Sequence, residues 1–281
     1  MRKMSKAYYA FFTLPTLIAF AISFLIPFLL GIYLSFTRFT TVTDTHWVGV
    51  SNYFRAFTED DTFLNALLFT VKFAVVSMVL INVLSFSLAL LLTRKIRGTN
   101  IFRTVFFMPN LIGGIVLGYI WQLLINGVLI NFGVDITFSA NYGFWGLVVL
   151  MNWQMIGYMM IIYIAGIQAI PPELIEAAQI DGANSWQLLK NITIPLVMPS
   201  FTICTFLTVT NSFKLFDQNL ALTAGAPGRA SAMLALDIFN TFYGRNGYEG
   251  VGQAKAVIFS LIVAVIVLLQ LRFSRSKEIE N

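Results

Sequence analysis

The stretch AIPPELIEAAQIDGANSWQLLKNIT, residues 169–193, is short, polar and set between two runs, 136–172 and 191–213, that contain no charged residue. It is not composed like a loose connector. Pro172 suits the first position of a helix, where its missing N–H costs nothing, and Glu173 and Glu176 favour the positive end of the helix dipole. Leu174, Ala177 and Ala178 share one face at i, i+3, i+4 spacing. Gly182 can adopt the left-handed conformation that ends a helix. Asn184 or Ser185 can then cap a second short helix carrying Trp186, Leu189 and Lys190. The pattern predicts two short amphipathic helices turned about a glycine, with small residues where another surface could approach. It is equally compatible with a connector lying flat on lipid headgroups.

The flanking runs identify the solvent. Hydrophobic residues make up 58% of the 281 residues and charged residues 11%, and mean hydropathy is +0.78. A soluble domain carries roughly 25% charge, and so apolar a globule in water would expose large aggregating patches. A membrane helix needs about 20 apolar residues. The predicted spans are residues 9–36, 68–93, 105–125, 144–168, 194–215 and 253–272, with Lys255 snorkelling at the start of the last. The runs are continuous rather than alternating, so they are helices and not barrel strands. The expected fold is an all-α polytopic membrane protein, residues 1–281 forming one transmembrane domain. The first run is too long for the apolar core of a cleaved signal peptide.

Lys and Arg gather on the cytoplasmic side of membrane proteins. With both termini in the cytoplasm, eleven fall inside: Arg2, Lys3, Lys6, Arg94, Lys95, Arg97, Arg103, Lys190, Arg272, Arg275 and Lys277. Five fall outside: Arg38, Arg55, Lys214, Arg229 and Arg245. This orientation places residues 169–193 in the cytoplasm, and it accounts for the net charge of +5 without nucleic acid.

Several chemistries are excluded or weakened. The single histidine, His46, rules out paired-histidine metal motifs. The lone Cys204 has no intrachain disulfide partner. No segment fits G-x-x-x-x-G-K-[ST], and Gly225-Ala226-Pro227-Gly228-Arg229 is only superficially glycine-rich. Glu59, Asp60 and Asp61 imitate paired catalytic carboxylates but read better as a solvated charged loop. No catalytic or metal-binding residue is expected. Polar residues inside spans either bond neighbouring helices or line a path. Asn82, Gln122, Asn152, Gln154 and Asn211 are of this kind. Asn152, Gln154, Tyr158, Asn211, Lys214 and Asp217 combine amides, charges and a ring as an uncharged polyol would require. Lys214 and Asp217 could instead pair with each other. Residues 218–250, with Met233, Leu234, Leu236, Ile238 and Phe239, are long for a connector and are expected to form a lateral helix that receives a partner protein.

Glu176-Ala177-Ala178, Asp181-Gly182-Ala183, Ile192, Pro195 and Pro199 resemble the EAA loop of binding-protein-dependent ABC importer permeases, and most closely those of the maltose-type sugar branch. Arg103 with Phe106-Phe107-Met108-Pro109, Trp121, and Leu222-Thr223 before Gly225-Ala226-Pro227 extend the resemblance. The Phe-Phe-Met-Pro segment is similar to the first permease of heterodimeric pairs. The resemblance implies that Glu176, Ala177, Ala178, Asp181, Gly182 and Ala183 form a coupling helix docked on a separate cytoplasmic ATPase. It also implies that spans four and five line the solute path. The implied partners are a second related permease, two ATPase copies, an extracytoplasmic sugar-binding protein, sugar and membrane lipid. The cofactors, ATP and magnesium, would sit on the ATPase and none on this chain, in the cell membrane of a prokaryote. Rival readings are the same permease class with a glycerol phosphate-like or polyamine cargo, and an ion-coupled secondary transporter. The latter would call for intramembrane acidic residues, which spans one, three, four and six lack in their apolar cores.

Overall fold

A computed structural model describes residues 6–41, 43–59, 61–94 and 97–275. Of the charges discussed above, Arg2, Lys3, Asp60, Lys95 and Lys277 lie outside the described residues. Five helices are long and apolar enough to cross a membrane: Phe11–Ser35, Asp61–Leu92, Gly114–Phe132, Ala140–Gln168 and Glu249–Arg272. Among the described residues the pair Ser185–Leu196 and Met198–Phe213, bent by 66° at Val197, brings the number to six when counted as one broken span, fifth in chain order. The chain divides into two compact units, Met1–Phe63 with Ile238–Leu261, and Leu64–Asp237 with Ile262–Asn281.

In the first unit, the first span is a continuous helix with a π-helical turn at Ala21–Leu25. Pro27 follows directly; its ring crowds the carbonyl four residues earlier, and widening the turn relieves the clash. The span ends in an antiparallel hairpin of Thr37–Thr41 and Asp44–Trp47, the one departure from all-helical structure among the described residues. Its β-branched, threonine-rich sequence favours strand. Helix Ser51–Thr58 comes next. Glu59 and Asp61 are exposed where this helix passes into the next, as a solvated charged connection requires; Glu59 accepts a 2.8 Å bond from Arg55, and Asp61 opens the helix Asp61–Leu92, where its charge suits the dipole. Lys255 does not snorkel. It is fully buried, its ammonium 2.8 Å from Thr241 Oγ1 and over the Phe63 ring at 5.2 Å. The sixth span begins at Glu249, ahead of the apolar run, so Lys255 lies inside the packed helix rather than at its end.

The second unit is built around Ala140–Gln168. Ser139 caps this helix by accepting from the Tyr142 N–H, and about two thirds of its most apolar window is buried, against a third or less in the other unbroken spans. Leu147, Leu150, Met151, Met159 and Tyr163 lie in the core with Phe73 and Ile81 of helix Asp61–Leu92 and Cys204 of helix Met198–Phe213. Polar side chains tie it sideways: Ser85 Oγ donates to the Ile156 carbonyl at 2.9 Å, and Tyr163 OH to Asn82 Oδ1 at 2.6 Å. Asn82 is thus a packing residue. Phe86, Tyr163 and Phe201 pack their rings together beside it.

The third span differs from expectation. A helix at Thr99–Phe107 tightens to a 3₁₀ turn at Met108–Leu111, Ile112 and Gly113 are extended, and the spanning helix starts only at Gly114. Pro109 and the Gly113-Gly114 pair break what looked like one apolar run. The new helix presents Gly114 and Gly118, a G-x-x-x-G pair, to the short helix Asp217–Leu222. A Cβ at Gly118 would lie 2.5 Å from that of Ala221. Lower down, a Cβ at Gly157 would overlap the Phe106 carbonyl group, so the backbone of the broken segment rests directly on the fourth span.

This contact sets a test. Gly157→Leu forces backbone apart and is expected to destabilise the protein by about 1–3 kcal/mol, read as a lower melting temperature in detergent. Gly127→Ala, where an added Cβ meets nothing within 4 Å, should leave the melting temperature unchanged.

Candidate coupling element and solute path

The helix Pro172–Ile180 begins as expected, with Pro172 in its first turn and Glu173 beside the dipole's positive end. Its far end explains the residue types. Gly182 has φ +82°, its N–H donates to the Gln179 carbonyl at 3.1 Å, and the Ala183 N–H reaches back to the Ala178 carbonyl at 2.9 Å. These two bonds constitute a Schellman motif. Asn184 then starts helix Ser185–Leu188 through a reciprocal capping box. Its Oδ1 accepts from the Gln187 N–H at 3.0 Å, and Gln187 Oε1 accepts from its own N–H at 2.8 Å. The N–H groups of Asp181, Gly182, Ala183 and Asn184 are thus all bonded within the element itself.

Glu176, Ala177, Asp181 and Gly182 are exposed, and Ala178 and Ala183 are half-buried against the turn. Ile180 and Trp186 flank Gly182 with relative exposures of 86% and 68%. No side chain covers Gly182; a Cβ there would meet nothing within 4 Å. The element is a rigid knob with a bare glycine at its tip and two unpartnered apolar side chains beside it.

Beyond this knob the chain turns into the membrane through a π-helical stretch, Leu189–Thr193, and bends at Val197. Pro195 and Pro199 each remove a donor and crowd the preceding turn, which accounts for both features.

The polar side chains proposed for the solute path separate into two groups. Gln154, Asn211 and Lys214 line one cavity of about 200 Å³, together with Asn110, Met151, Met155, Leu215 and Gln218. Gln154 is central to it: Nε2 donates to the Ile112 carbonyl at 3.3 Å, and Oε1 accepts from Gln218 Nε2 at 2.9 Å. Asn211 donates to the Leu207 carbonyl of its own helix at 2.8 Å. The other three lie elsewhere. Asn152 is buried and donates to the Val148 carbonyl at 2.7 Å, leaving Oδ1 without a partner. Tyr158 rests against Phe107, ring centroids 6.4 Å apart. Asp217 is exposed at the start of its short helix, and no ion pair joins it to Lys214 among the described residues. Gln122 bonds the Leu222 carbonyl at 3.0 Å and so serves packing.

Asn110 and Gln218 were not singled out from the sequence. Asn110 follows Pro109 and precedes Gly113-Gly114; a polar residue inside a helix break is the signal that could have found it. Gln218 is placed by the G-x-x-x-G contact, which no local pattern reveals. The segment 223–233 is held by its own network: Asn219 Nδ2 donates to the Ser231 carbonyl at 2.9 Å, Asn219 Oδ1 accepts from the Met233 N–H at 2.8 Å, and Ser231 Oγ bonds Thr223 Oγ1 at 2.9 Å. The expected helix follows it, Leu234–Gly244, with Met233 just before it and Leu234 and Leu236 in its first turn wholly buried.

A helical multi-pass protein with an exposed, self-capped knob on one connection and a small polar cavity beside two broken spans is a membrane permease. The chain belongs to the family of binding-protein-dependent transport system inner membrane components, which it matches over residues 81–278. It is 48% identical over 281 residues to the probable starch degradation products transport system permease protein AmyD of Thermoanaerobacterium thermosulfurigenes, covering 97% of this chain and 96% of that one. It is 30% identical over 290 residues to the multiple sugar-binding transport system permease protein MsmF of Streptococcus mutans, covering 99% of each. Its fold is similar to that of a bacterial alginate ABC transporter crystallised with an alginate pentasaccharide-bound periplasmic protein, with a TM-score of 0.79 at 21% identity, covering 96% and 94% of the two chains.

The central bonds of Gln154 yield a prediction. An interhelical hydrogen bond in a membrane is worth about 0.6–2 kcal/mol, so Gln154→Leu is expected to slow solute uptake by cells roughly 3- to 30-fold. The measurement is initial uptake rate at equal amounts of protein in the membrane.

Proposed function

We propose that this chain is the translocation subunit of an ATP-driven importer for sugars, with oligosaccharides derived from starch as the foremost candidates. The observation that carries the reading is the rigid knob at residues 172–188, on the connection between the fourth and fifth spans of a chain in a binding-protein-dependent family. The near full-length similarity to a permease named for starch degradation products supports the cargo class. Both termini and the knob face the cytoplasm, as the excess of Lys and Arg on that side favours.

In this reading Gly182 is the tip that enters a groove on a separate ATPase subunit, Ile180 and Trp186 are buried by that contact, and Glu176 lies at its rim. ATP and magnesium belong to the ATPase. A second, related permease completes the pathway, and an extracytoplasmic binding protein delivers the sugar. ATP drives the spans between inward- and outward-open arrangements, and it can do so only by binding the two states with different affinity. The knob transmits that difference because its turn is locked by its own hydrogen bonds and does not yield when pushed. Gln154, Asn211, Lys214, Asn110 and Gln218 supply the amide and ammonium groups that a passing polyol can bond. Asn152, Tyr158 and Asp217 stay assigned to the path, as groups that meet the solute in another arrangement of the spans.

Two measurements test this. Vesicles reconstituted with the purified assembly, ATP inside and binding protein outside, are expected to accumulate labelled maltooligosaccharide. Accumulation without ATP, driven by an ion gradient, would overturn the reading. Separately, Gly182→Trp places a bulky side chain at a φ of +82° that L-residues rarely adopt. It is expected to leave the protein inserted in the membrane while abolishing both copurification of the ATPase and uptake; normal uptake by this variant would remove the knob from the mechanism.

A further inference from the structure

The aromatic residues after the first span form a surface that the transport reading leaves unused. Helix Ser51–Thr58 buries Asn52 and Ala56 and turns Phe54 and Phe57 outward on the opposite face. Phe54 is 67% exposed, and Trp47 at the end of the hairpin 66%; Val50 and Phe57 are also exposed. A patch of this kind is unfavourable against water.

Its position is held by bonds. Asn52 Nδ2 donates to the Ser35 carbonyl at 2.9 Å and to the Thr37 carbonyl at 2.8 Å, and Tyr53 OH shares a 2.7 Å bond with Ser35 Oγ. Ser35 is the last residue of the first span. The Trp47 ring stacks on Phe36 at 5.6 Å and lies 6.1 Å from Tyr33, in the span's last turn. At the other end Phe57 meets Phe63 edge-on at 5.4 Å, in the first turn of helix Asp61–Leu92. The patch thus connects the end of one long apolar helix, Phe11–Ser35, to the start of the next, Asp61–Leu92. The charged side chain of the short helix is turned aside: Arg55 bonds Glu59 and lies over the Tyr248 ring at 4.7 Å. Partial burial lowers the Arg55 pKa, but hydrogen bonding and charge interaction with Glu59 and Tyr248 together outweigh it and raise it.

We propose that Trp47, Val50, Phe54 and Phe57 are seated in the membrane–water interface at the Ser35 end of the first span, with phospholipid as their partner. Trp and Tyr favour this level because their rings are apolar and their N–H and O–H groups polar. A short helix with aromatic side chains on one face and polar ones on the other lies in the plane of the interface. Continuity argues for lipid: Leu29, Leu30 and Tyr33 of the span itself are exposed, and the patch extends their surface without a break at Tyr33 and Trp47. The segment 36–58 then acts as a float that fixes the depth of the first span.

The test uses the protein purified with whatever subunits accompany it, reconstituted into phosphatidylcholine–phosphatidylglycerol vesicles. In a Cys204→Ala background, spin labels are attached to Phe54→Cys, Phe57→Cys and, as a control, Glu59→Cys. Collision with oxygen is expected to exceed collision with a water-soluble nickel chelate at 54 and 57, and the reverse at 59. Nickel access at 54 and 57 would overturn the proposal. So would protection from both reagents, which would mean that a protein surface covers the patch. Should the cysteine variants fail to assemble, quenching by brominated phospholipid decides: it should be greater for the unmodified protein than for Trp47→Phe, and equal quenching overturns the proposal.

Discussion

An unpaired backbone N–H or C=O in hydrocarbon costs several kcal/mol, which is why membrane chains are built from unbroken helices. This chain breaks its helices at Ile112–Gly113 and bends one at Val197, and the architecture depends on how those breaks are made tolerable. The break at 112 is met by Gln154, which reaches from the intact fourth span to the Ile112 carbonyl. Gly157, one turn along the same helix, lets the Phe106 backbone lie against it. At 197 the backbone bonds itself, Val197 N–H to the Thr193 carbonyl and Phe201 N–H to Val197. The fourth span is the most buried of the unbroken spans because it serves as the rail to which its neighbours in the second unit are attached.

The cavity follows from the same constraint. A helix that stops at Leu111 and restarts at Gly114 leaves a gap at mid-chain, and the G-x-x-x-G face of the restarted helix draws the Asp217–Leu222 helix close enough for Gln218 to reach Gln154. The polar groups lining the space are those that compensate the break. A solute hydrogen-bonding there would compete with bonds already made, at a cost below that of opening a regular helix. A site of this kind suits passage better than retention.

The knob lies at the opposite extreme of rigidity. Its Schellman turn and capping box bond the N–H groups of Gly182, Ala183, Asn184 and Gln187 within the element, which fixes its form locally. Small residues are required at Ala178 and Ala183 because the turn folds one onto the other, and glycine at 182 because the backbone there is left-handed. In the coupling role proposed above, so stiff a projection would pass displacement to the spans, and the bend at Val197 would give it a defined place to act.

The spans, the knob and its two helices were legible in the sequence, because hydrophobic run length, proline, glycine and capping residues act locally. Glu173, Gly182 and Asn184 behave in the structure as their chemistry requires. The broken third span was signalled by Pro109 and Gly113-Gly114 but masked by unbroken hydrophobicity, which measures solvent and not helix continuity. Lys255 was misread because burial of its ammonium depends on Thr241 and Phe63, brought to it by folding. Of the six path residues, the fold gathered Gln154, Asn211 and Lys214 and dispersed Asn152, Tyr158 and Asp217. The sequence alone determined which segments lie in lipid and where the chain must turn, since both follow from each residue's own transfer energy and backbone preference. Only the tertiary structure decided which polar side chains bond one another and which face a cavity, since that depends on helix rotation and close approach set by residues far apart in the chain.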